Sequence, residues 1–513
     1  MDKKRRDLLK GMVALPLLGY FVYGARENIT KELSLRKNDY LKTLKIDRLQ
    51  ATEEKLRPPT GENSQPIRLG LIGNGWRGDQ LLRILGFIPE NELKGNILPD
   101  GSYTAALQKI AGRENLNVEI RGICDTFEIH AQRGLEVSKN YIHSVGKRMT
   151  KPAKLYPTYR EMIADDEIDA VIIATPDHTH APMAIAAAQK GKHVYLEKPM
   201  THSIEEAVEL RNVIKSTGVV FQLGHENRQQ MSYKIARELY LKGALGVVSM
   251  AQTYTNKNGL YGAWIREREF DHLGTIENIN WEEFQGNAPW REFDRKRYFN
   301  WHRYSEYGTS VTGNDFSHKY DCVNQILGLG IPEQVIAMAG QYYYFNHGDM
   351  PDLISAVCSY PEQGLILTYD STLKSGIYRQ SRIMGSEATI DIDNAILMYK
   401  DEESERYQDL NPEPEDKPMY YYSPASDVDA ISSATSRAYI KGGYGPTFID
   451  GKVIESTFLH LKEWIDAIRG KGETSGHIDT GFEEAVTFNL INLAYTYGKP
   501  VRWDRENEKA IIG

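Results

Sequence analysis

The sequence predicts an α/β chain in two parts. A parallel-sheet half spans residues 66–224, and an α+β half with a large, mostly antiparallel open sheet spans 225–454. Three observations predict it. The chain has 513 residues, well beyond the roughly 100–200 of one ordinary domain. Between 66 and 224, short apolar runs rich in β-branched residues alternate with helix-like stretches, the pattern of βαβ units. Past 225, strand-like runs follow one another with few helical stretches between them.

Composition narrows the function classes. An apolar fraction of 41% and a charged fraction of 26% match a globular chain and exclude wholesale disorder or collagen-like repetition. A net charge of −8 argues against a nucleic-acid partner held through its phosphates. Cys124, Cys322 and Cys358 are widely spaced, so neither a disulfide framework nor a paired-cysteine metal site is expected.

The chain opens Lys3-Lys4-Arg5-Arg6-Asp7-Leu8-Leu9-Lys10 and then runs almost uncharged from Gly11 to Ala25. A basic start before about 15 apolar residues is short for a membrane span and reads as a targeting signal. The paired arginines resemble a twin-arginine export motif. Residues 1–25 are thus expected to be a signal, or an uncut N-terminal anchor, with the body of the protein in the periplasm or otherwise exported. Residues 26–65 read as a polar helical arm and linker ending in Pro58-Pro59 and Gly61.

From Pro66, strands are expected at Ile67 to Ile72, Val118 to Cys124, Ala170 to Thr175, His193 to Glu197 and Val219 to Leu223. Helices are expected at Asp79 to Leu85, Ala181 to Lys190 and Ser203 to Lys215, the last opened by a Ser203/Glu206 capping box. The first strand runs into Gly73-Asn74-Gly75-Trp76-Arg77-Gly78, a G-x-G-x-x-G turn between strand and helix. The first glycine permits the turn, the second lets a pyrophosphate approach the backbone, and the third lets helix and strand pack closely. The helix N-terminus adds amide donors for the phosphates. A dinucleotide-binding Rossmann sheet is the expectation.

The second strand ends at Asp125, which in such a sheet accepts hydrogen bonds from ribose hydroxyls and favours NAD; a cap on the following helix is its other reading. Arg77 within reach of a 2′-phosphate keeps NADP possible. Asp125 stands 47 residues after Gly78, against about 20 in the usual spacing, so Pro89 to Asn117 read as an insertion.

Two further stretches carry a family resemblance: Ala174-Thr175-Pro176-Asp177-His178-Thr179-His180 after one strand, and Glu197-Lys198-Pro199 closing the next. With the glycine turn they resemble the glucose–fructose oxidoreductase / inositol dehydrogenase / rhizopine-catabolism (Gfo/Idh/MocA) family. The resemblance extends through Trp281 to Gly286 with Pro289, Asn314 to Asp321, Pro332 to Val335 and Val501 to Asp504, stretches that look like its secreted, sugar-related branches. It implies a nicotinamide dinucleotide on the first domain, with Thr175, Pro176, His178, His180, Glu197 and Lys198 on the cofactor side, facing an open sheet from the second. Strands there are expected at Val247 to Tyr254, Gln334 to Tyr344, Ile354 to Tyr360, Leu365 to Ser371 and Ala388 to Ile392. Helices at Glu455 to Arg469 and Phe482 to Tyr497, within 455–513, complete the fold. Residues 401–446 read as an irregular insertion, and the family analogy implies a homo-oligomer.

Hydride transfer from a secondary alcohol needs a base for the hydroxyl proton and a donor beside the developing oxyanion. In the family the lysine of Glu-Lys-Pro contacts substrate hydroxyl and cofactor, which assigns Lys198. His318 is the second catalytic candidate: Asn314, His318 and Asp321 fall on one face of a helix, and a helix start favours a neutral imidazole. The family usually has aspartate four residues before this histidine, where this chain has Asn314. Asp315 either replaces it, or the relay is altered, or Asp315 caps the helix with Thr312. Trp301, Tyr304 and Tyr307 are candidate substrate walls, with Arg228 from the His225 to Arg228 stretch lining the cleft. No carboxylate or cysteine cluster accompanies His178 and His180, and no metal is expected.

The leading expectation is an NAD(P)-dependent oxidoreductase acting on a secondary hydroxyl of a sugar, polyol or glycoside. Export implies a retained cofactor regenerated in place. An NAD-using redox-neutral glycosidase is the alternative, and a non-catalytic NAD-binding protein the second.

Overall fold

The computed structural model describes residues 65–98, 103–144, 151–258, 270–345, 348–392, 396–409, 419–422, 446–449 and 452–513. The leading basic–apolar segment, nearly all of the polar arm and most of 401–446 lie outside them. Among the described residues no helix is long and apolar enough to cross a membrane.

The first half is a six-stranded parallel sheet. Its strands are β1 (Ile67–Ile72), β2 (Val118–Cys124), β3 (Lys154–Leu155), β4 (Ala170–Ile173), β5 (His193–Leu196) and β6 (Phe221–Leu223), in the order β3-β2-β1-β4-β5-β6. Helices cover both faces, so consecutive side chains of one strand are all buried. Val171 and Ile173 of β4 enter one hydrophobic cluster, whereas Ala170 and Ile172 enter the other. The capping box forms, with the Ser203 hydroxyl accepting from the Glu206 amide at the start of the Ile204–Thr217 helix. The first crossover holds two short helices, Glu90–Gly95 and Ala105–Ala111, over a small cluster of Ile88, Leu107 and Ile142.

The second half is built on a ten-stranded sheet. Its strands are β7 (Val248–Asn256), β8 (Gln334–Gly340), β9 (Leu353–Tyr360), β10 (Leu365–Thr372), β11 (Arg382–Gly385), β12 (Ala388–Asp391), β13 (Ile396–Lys400) and β14 (Tyr420–Tyr422). A hairpin, β15 (Pro446–Ile449) and β16 (Lys452–Glu455), stands apart. The C-terminal strands β17 (Val501–Asp504) and β18 (Lys509–Ile512) join the large sheet. The order is β14-β13-β12-β11-β7-β10-β9-β8-β17-β18; β7 and β10 pair in parallel and the other neighbours are antiparallel. The inner face packs on the Ser317–Leu327 and Ile478–Tyr497 helices. The other face is open: Ile336, Met338, Val357 and Ile366 alternate outward and are exposed, Met338 by 76%.

The Ser456–Ile468 helix returns to the first half. Phe458, Leu461, Trp464 and Ile465 close the cluster formed by Leu69, Leu71, Ile172 and Tyr195. Glu455, at its N-cap, pairs with Arg113 of the first crossover. Burial pushes the Glu455 carboxyl from its ordinary 4.5 up to about 7, although Arg113 favours its charge. A raised acid keeps its proton in the folded chain after the unfolded chain has lost it, so this group's contribution to stability falls as pH rises from 4.5 to 7. Glu455→Gln is therefore expected to gain on wild type by about 3 kcal/mol between pH 4.5 and pH 8 in urea unfolding. A stability gap that does not change with pH would refute it.

Candidate active site

Every sequence-predicted site residue of the first half sits at or beyond the carboxyl end of a parallel strand, where open α/β sheets bind ligands. Gly73 follows β1, Asp125 follows β2, Thr175 follows β4, and Glu197 and Lys198 follow β5.

The glycine turn fits a pyrophosphate. Gly73 has φ +86°, and a Cβ there would meet the Ala174 carbonyl oxygen at 2.5 Å. A Cβ on Gly78 would overlap the Gly73 carbonyl, whereas one on Gly75 would meet nothing within 4 Å, leaving open space beside the backbone. The Trp76–Leu85 helix starts directly behind Gly75, which has no side chain to cover its first turn. Asn74 is buried, its side chain donating to the His130 carbonyl (2.9 Å). Asp125 takes the Asn74 amide (2.6 Å) and, in an Asx turn, the Phe127 amide (2.8 Å). It thus fixes the glycine turn from the end of β2; it makes no side-chain cap for the next helix. Burial raises its carboxyl above the usual range despite His130 and these two amides.

Arg77 differs from the expectation. Its guanidinium lies 2.6 Å from Glu197 and 3.1 Å from Glu226. The β5 and β6 ends lie on the opposite side of β1 from Asp125, so Arg77 reaches away from Asp125 and is paired with two carboxylates. Glu226, fully buried, has its carboxyl raised to about 7 by burial and by Glu197, with Arg77 opposing.

His178 and His180 are interior braces rather than cleft-lining groups. His178 is hydrogen-bonded through Nε2 to the Phe284 carbonyl (2.8 Å), and burial lowers it to about 4. The ring nitrogens of His180 lie 2.7 Å from the Pro199 carbonyl and 2.8 Å from that of Thr175, tying the loops after β4 and β5 together. The Thr175 hydroxyl meets Thr179 and Met183, and Pro176 caps the Asp177–Gln189 helix.

The second half delivers its residues on a π turn, Thr312–Phe316, leading into the Ser317–Leu327 helix. Such turns recur at functional sites. Several groups hold it: Asp177 accepts from the Thr309 amide (2.9 Å) and hydroxyl (2.6 Å), and the Thr312 hydroxyl meets Asn492 (2.6 Å). Gly313 packs so closely that a Cβ would overlap the Thr309 side chain and meet Pro199 at 3.2 Å. Lys198, half-buried beside a cis peptide to Pro199, donates from Nζ to the Asn314 carbonyl (2.9 Å).

The wider π turn removes the single helical face expected for Asn314, His318 and Asp321. Asn314 turns its side chain back to the Ser310 carbonyl (3.0 Å). Asp315 makes no side-chain cap on the helix; it binds the Thr255 hydroxyl and Lys257 (3.1 Å) at the end of β7. Burial would raise its carboxyl, but Lys257 and Thr255 leave it below the usual range. Lys257 is the site group the sequence reading missed. Burial brings its ammonium down to about 8, against the pull of Asp315. Its only signal was a lysine directly after a strand.

His318 is buried between these elements. Burial depresses its pKa well below the ordinary value, and Lys198, His225, Arg77 and Lys257 depress it further. The imidazole is therefore neutral at physiological pH.

The substrate-wall residues divide. Tyr307 is fully buried in an aromatic cluster with Phe127, Trp281, Phe284 and Tyr298, so it is core. Trp301 and Tyr304 are half-buried against the same cluster, with Arg297 stacked on Tyr304 at 4.1 Å. Arg228 is buried and committed to Asp321 (2.7 Å) and the Ser475 carbonyl (2.9 Å), which removes it as an open substrate donor.

Comparison with known proteins follows the same division. Residues 102–225 match the Gfo/Idh/MocA model described as an oxidoreductase family with an NAD-binding Rossmann fold, and 274–502 match that family's C-terminal alpha/beta domain. The chain belongs to the Gfo/Idh/MocA oxidoreductase family. The first half of this family member is its NAD-binding domain. Over 319 residues it is 27% identical to an uncharacterized oxidoreductase of Streptococcus pneumoniae, covering 61% of this chain and 75% of that protein. Over 99 residues it is 38% identical to the NAD+-dependent scyllo-inositol 2-dehydrogenase of Bacillus subtilis, covering 19% of this chain but only 29% of that protein. In fold it resembles GenD2 of gentamicin A biosynthesis, solved in complex with NAD (TM-score 0.55, 17% identity, 88% of this chain and 99% of that one).

Proposed function

We propose that this oxidoreductase uses NAD to oxidise, or in reverse to form, a secondary hydroxyl of a sugar, polyol or glycoside. One observation carries the reading: Lys198 of the first half donates to the Asn314 carbonyl of the π turn, and the buried, neutral His318 of the helix that follows feels the charges of both Lys198 and Arg77 of the glycine turn. Bound NAD supplies the hydride acceptor. The Lys198 ammonium donates to the substrate oxygen and stabilises the charge it develops. His318 accepts the hydroxyl proton as the C–H hydride leaves, and the carbinol carbon becomes a carbonyl. The inositol dehydrogenase likeness supports a polyhydroxylated substrate.

NAD rather than NADP fits an acidic Asp125 at the end of β2 and an Arg77 turned to Glu197 and Glu226. Asp125→Ala is expected to weaken NAD binding about tenfold without improving NADP binding, a comparison made by isothermal titration. The leading segment supports export of the chain folded around retained cofactor. The open face with Ile336, Met338 and Ile366 supports assembly with a second copy.

The deciding experiment denatures purified protein, identifies any released dinucleotide by mass spectrometry, and then follows NADH with a panel of sugars, polyols and glycosides. Bound NAD with reduction by a free sugar or polyol supports the proposal. Release of sugar from a glycoside without net NADH would assign the glycosidase cycle instead. Bound NAD with no turnover on any of them would leave a binding protein.

A further inference from the structure

Behind His318 lies a closed group of four charged side chains. His225, in the loop after β6, meets Glu484 of the Ile478–Tyr497 helix through Nε2, both side chains being almost fully buried. Beside them Arg228 reaches Asp321, its Nε at 2.7 Å and its Nη2 at 2.6 Å from one carboxylate oxygen. The His225 ring stands edge-to-face on the His318 ring, with centroids 5.1 Å apart and planes at 85°. His225 is the group that joins this buried quartet to the catalytic imidazole.

We propose that Glu484 and His225 form a positioning dyad that acts on His318 through ring contact and charge, holding it ready as the proton acceptor of the site. The inference rests on the reading of His318 as the base and adds what sets its state. A buried imidazole leans toward its neutral form, but the Glu484 and Asp321 carboxylates more than offset burial at His225 and favour its charged form, with Arg228 opposing them. An imidazolium at that distance disfavours a second positive charge on His318. Lys198, Arg77 and Lys257 act in the same direction from the β5 loop, the glycine turn and β7, while Asp321 on its own helix is held by Arg228. The family's aspartate position is Asn314 here, so no carboxylate at that position opposes the positive charge behind the ring.

His225, Asp321 and Glu484 also have ligand-type atoms within 4.8 Å of one another. Arg228 already supplies the positive charge a metal ion would bring there, so the group is read as an ion-pair cluster.

The test reads His318 directly and needs no substrate. Full-length protein labelled with 13Cε1-histidine is titrated by NMR, and the His318 resonance is identified by its loss in His318→Gln. In Glu484→Gln, His225 loses its main counter-charge and becomes neutral, and the His318 midpoint is expected to rise by about one to two pH units. The double variant Glu484→Gln/His225→Gln leaves no unpaired charge and is expected to show the same rise if the single variant fails to fold. An unchanged or lowered midpoint in a folded variant overturns the dyad, as does loss of fold in both, which would make the pair purely structural. Stoichiometric metal in the purified protein, measured by plasma mass spectrometry, would also overturn it. A wild type that turns over nothing would refute the functional reading while leaving the His318 titration interpretable.

Discussion

Lys198→Met is expected to lower kcat about 10³-fold on whichever alcohol the wild type oxidises, while NAD binding changes by less than about threefold. The ammonium sits at the carboxyl end of β5 and is aimed by a single carbonyl, that of Asn314. Methionine keeps the length and packing of the side chain but removes both the charge beside the oxyanion and the donor to the hydroxyl. The glycine turn and Asp125, to which the proposal assigns the dinucleotide, depend on neither. Lys198→Arg is not expected to rescue turnover, because a planar fork cannot replace a compact ammonium on one oxygen. Stopped-flow measurement of NADH formation with NAD titrated separately checks both halves. Equal losses in NAD affinity and turnover would make Lys198 a cofactor anchor rather than a catalytic group.

His318→Gln is expected to cost about 10²-fold in kcat/KM and to flatten its acid limb. The sign follows from the depressed histidine: burial and four cations keep the ring neutral well below its ordinary 6.5. The wild-type rate should therefore hold through pH 6.5 as pH falls and decline only below it, as His318 takes up a proton. Glutamine keeps hydrogen-bonding capacity but cannot accept the proton, so no decline tied to this residue remains. A wild-type profile that already falls with a midpoint near 6.5 would show that His318 is not the base, or that its surroundings do not carry these charges.

Much of this architecture was legible in the residues. The strands of the first half have apolar residues at consecutive positions, because both faces are covered, and such runs stand out between helices. Gly73, Gly75 and Gly78 are legible because each answers a different steric demand, and Glu197-Lys198-Pro199 because it closes a strand. Less was legible where geometry depends on partners distant in sequence. The π turn adds a residue to what reads as a regular helix start, which sends Asp315 to Lys257. Arg77 looked available because Glu197 and Glu226 lie 120 and 149 residues away in sequence. Tyr307 looked like a sugar platform, since a buried aromatic cluster and an open one share the same composition. Short strands such as Arg382–Gly385 and Lys509–Ile512 have too few residues to establish a period.

The return of the Ser456–Ile468 helix to the first half has a consequence for synthesis. The ribosome makes all six parallel strands by Leu223, yet Phe458, Leu461, Trp464 and Ile465, which cover one side of that sheet, emerge more than two hundred residues later. Until then Leu69, Leu71 and Ile172 have an incomplete roof, and Glu455 has not met Arg113. The nucleotide half is first in sequence but waits for a helix made after most of the second half. That helix, rather than the six strands alone, completes one apolar side of the sheet, and a nascent chain stalled within the large sheet would present that side to chaperones.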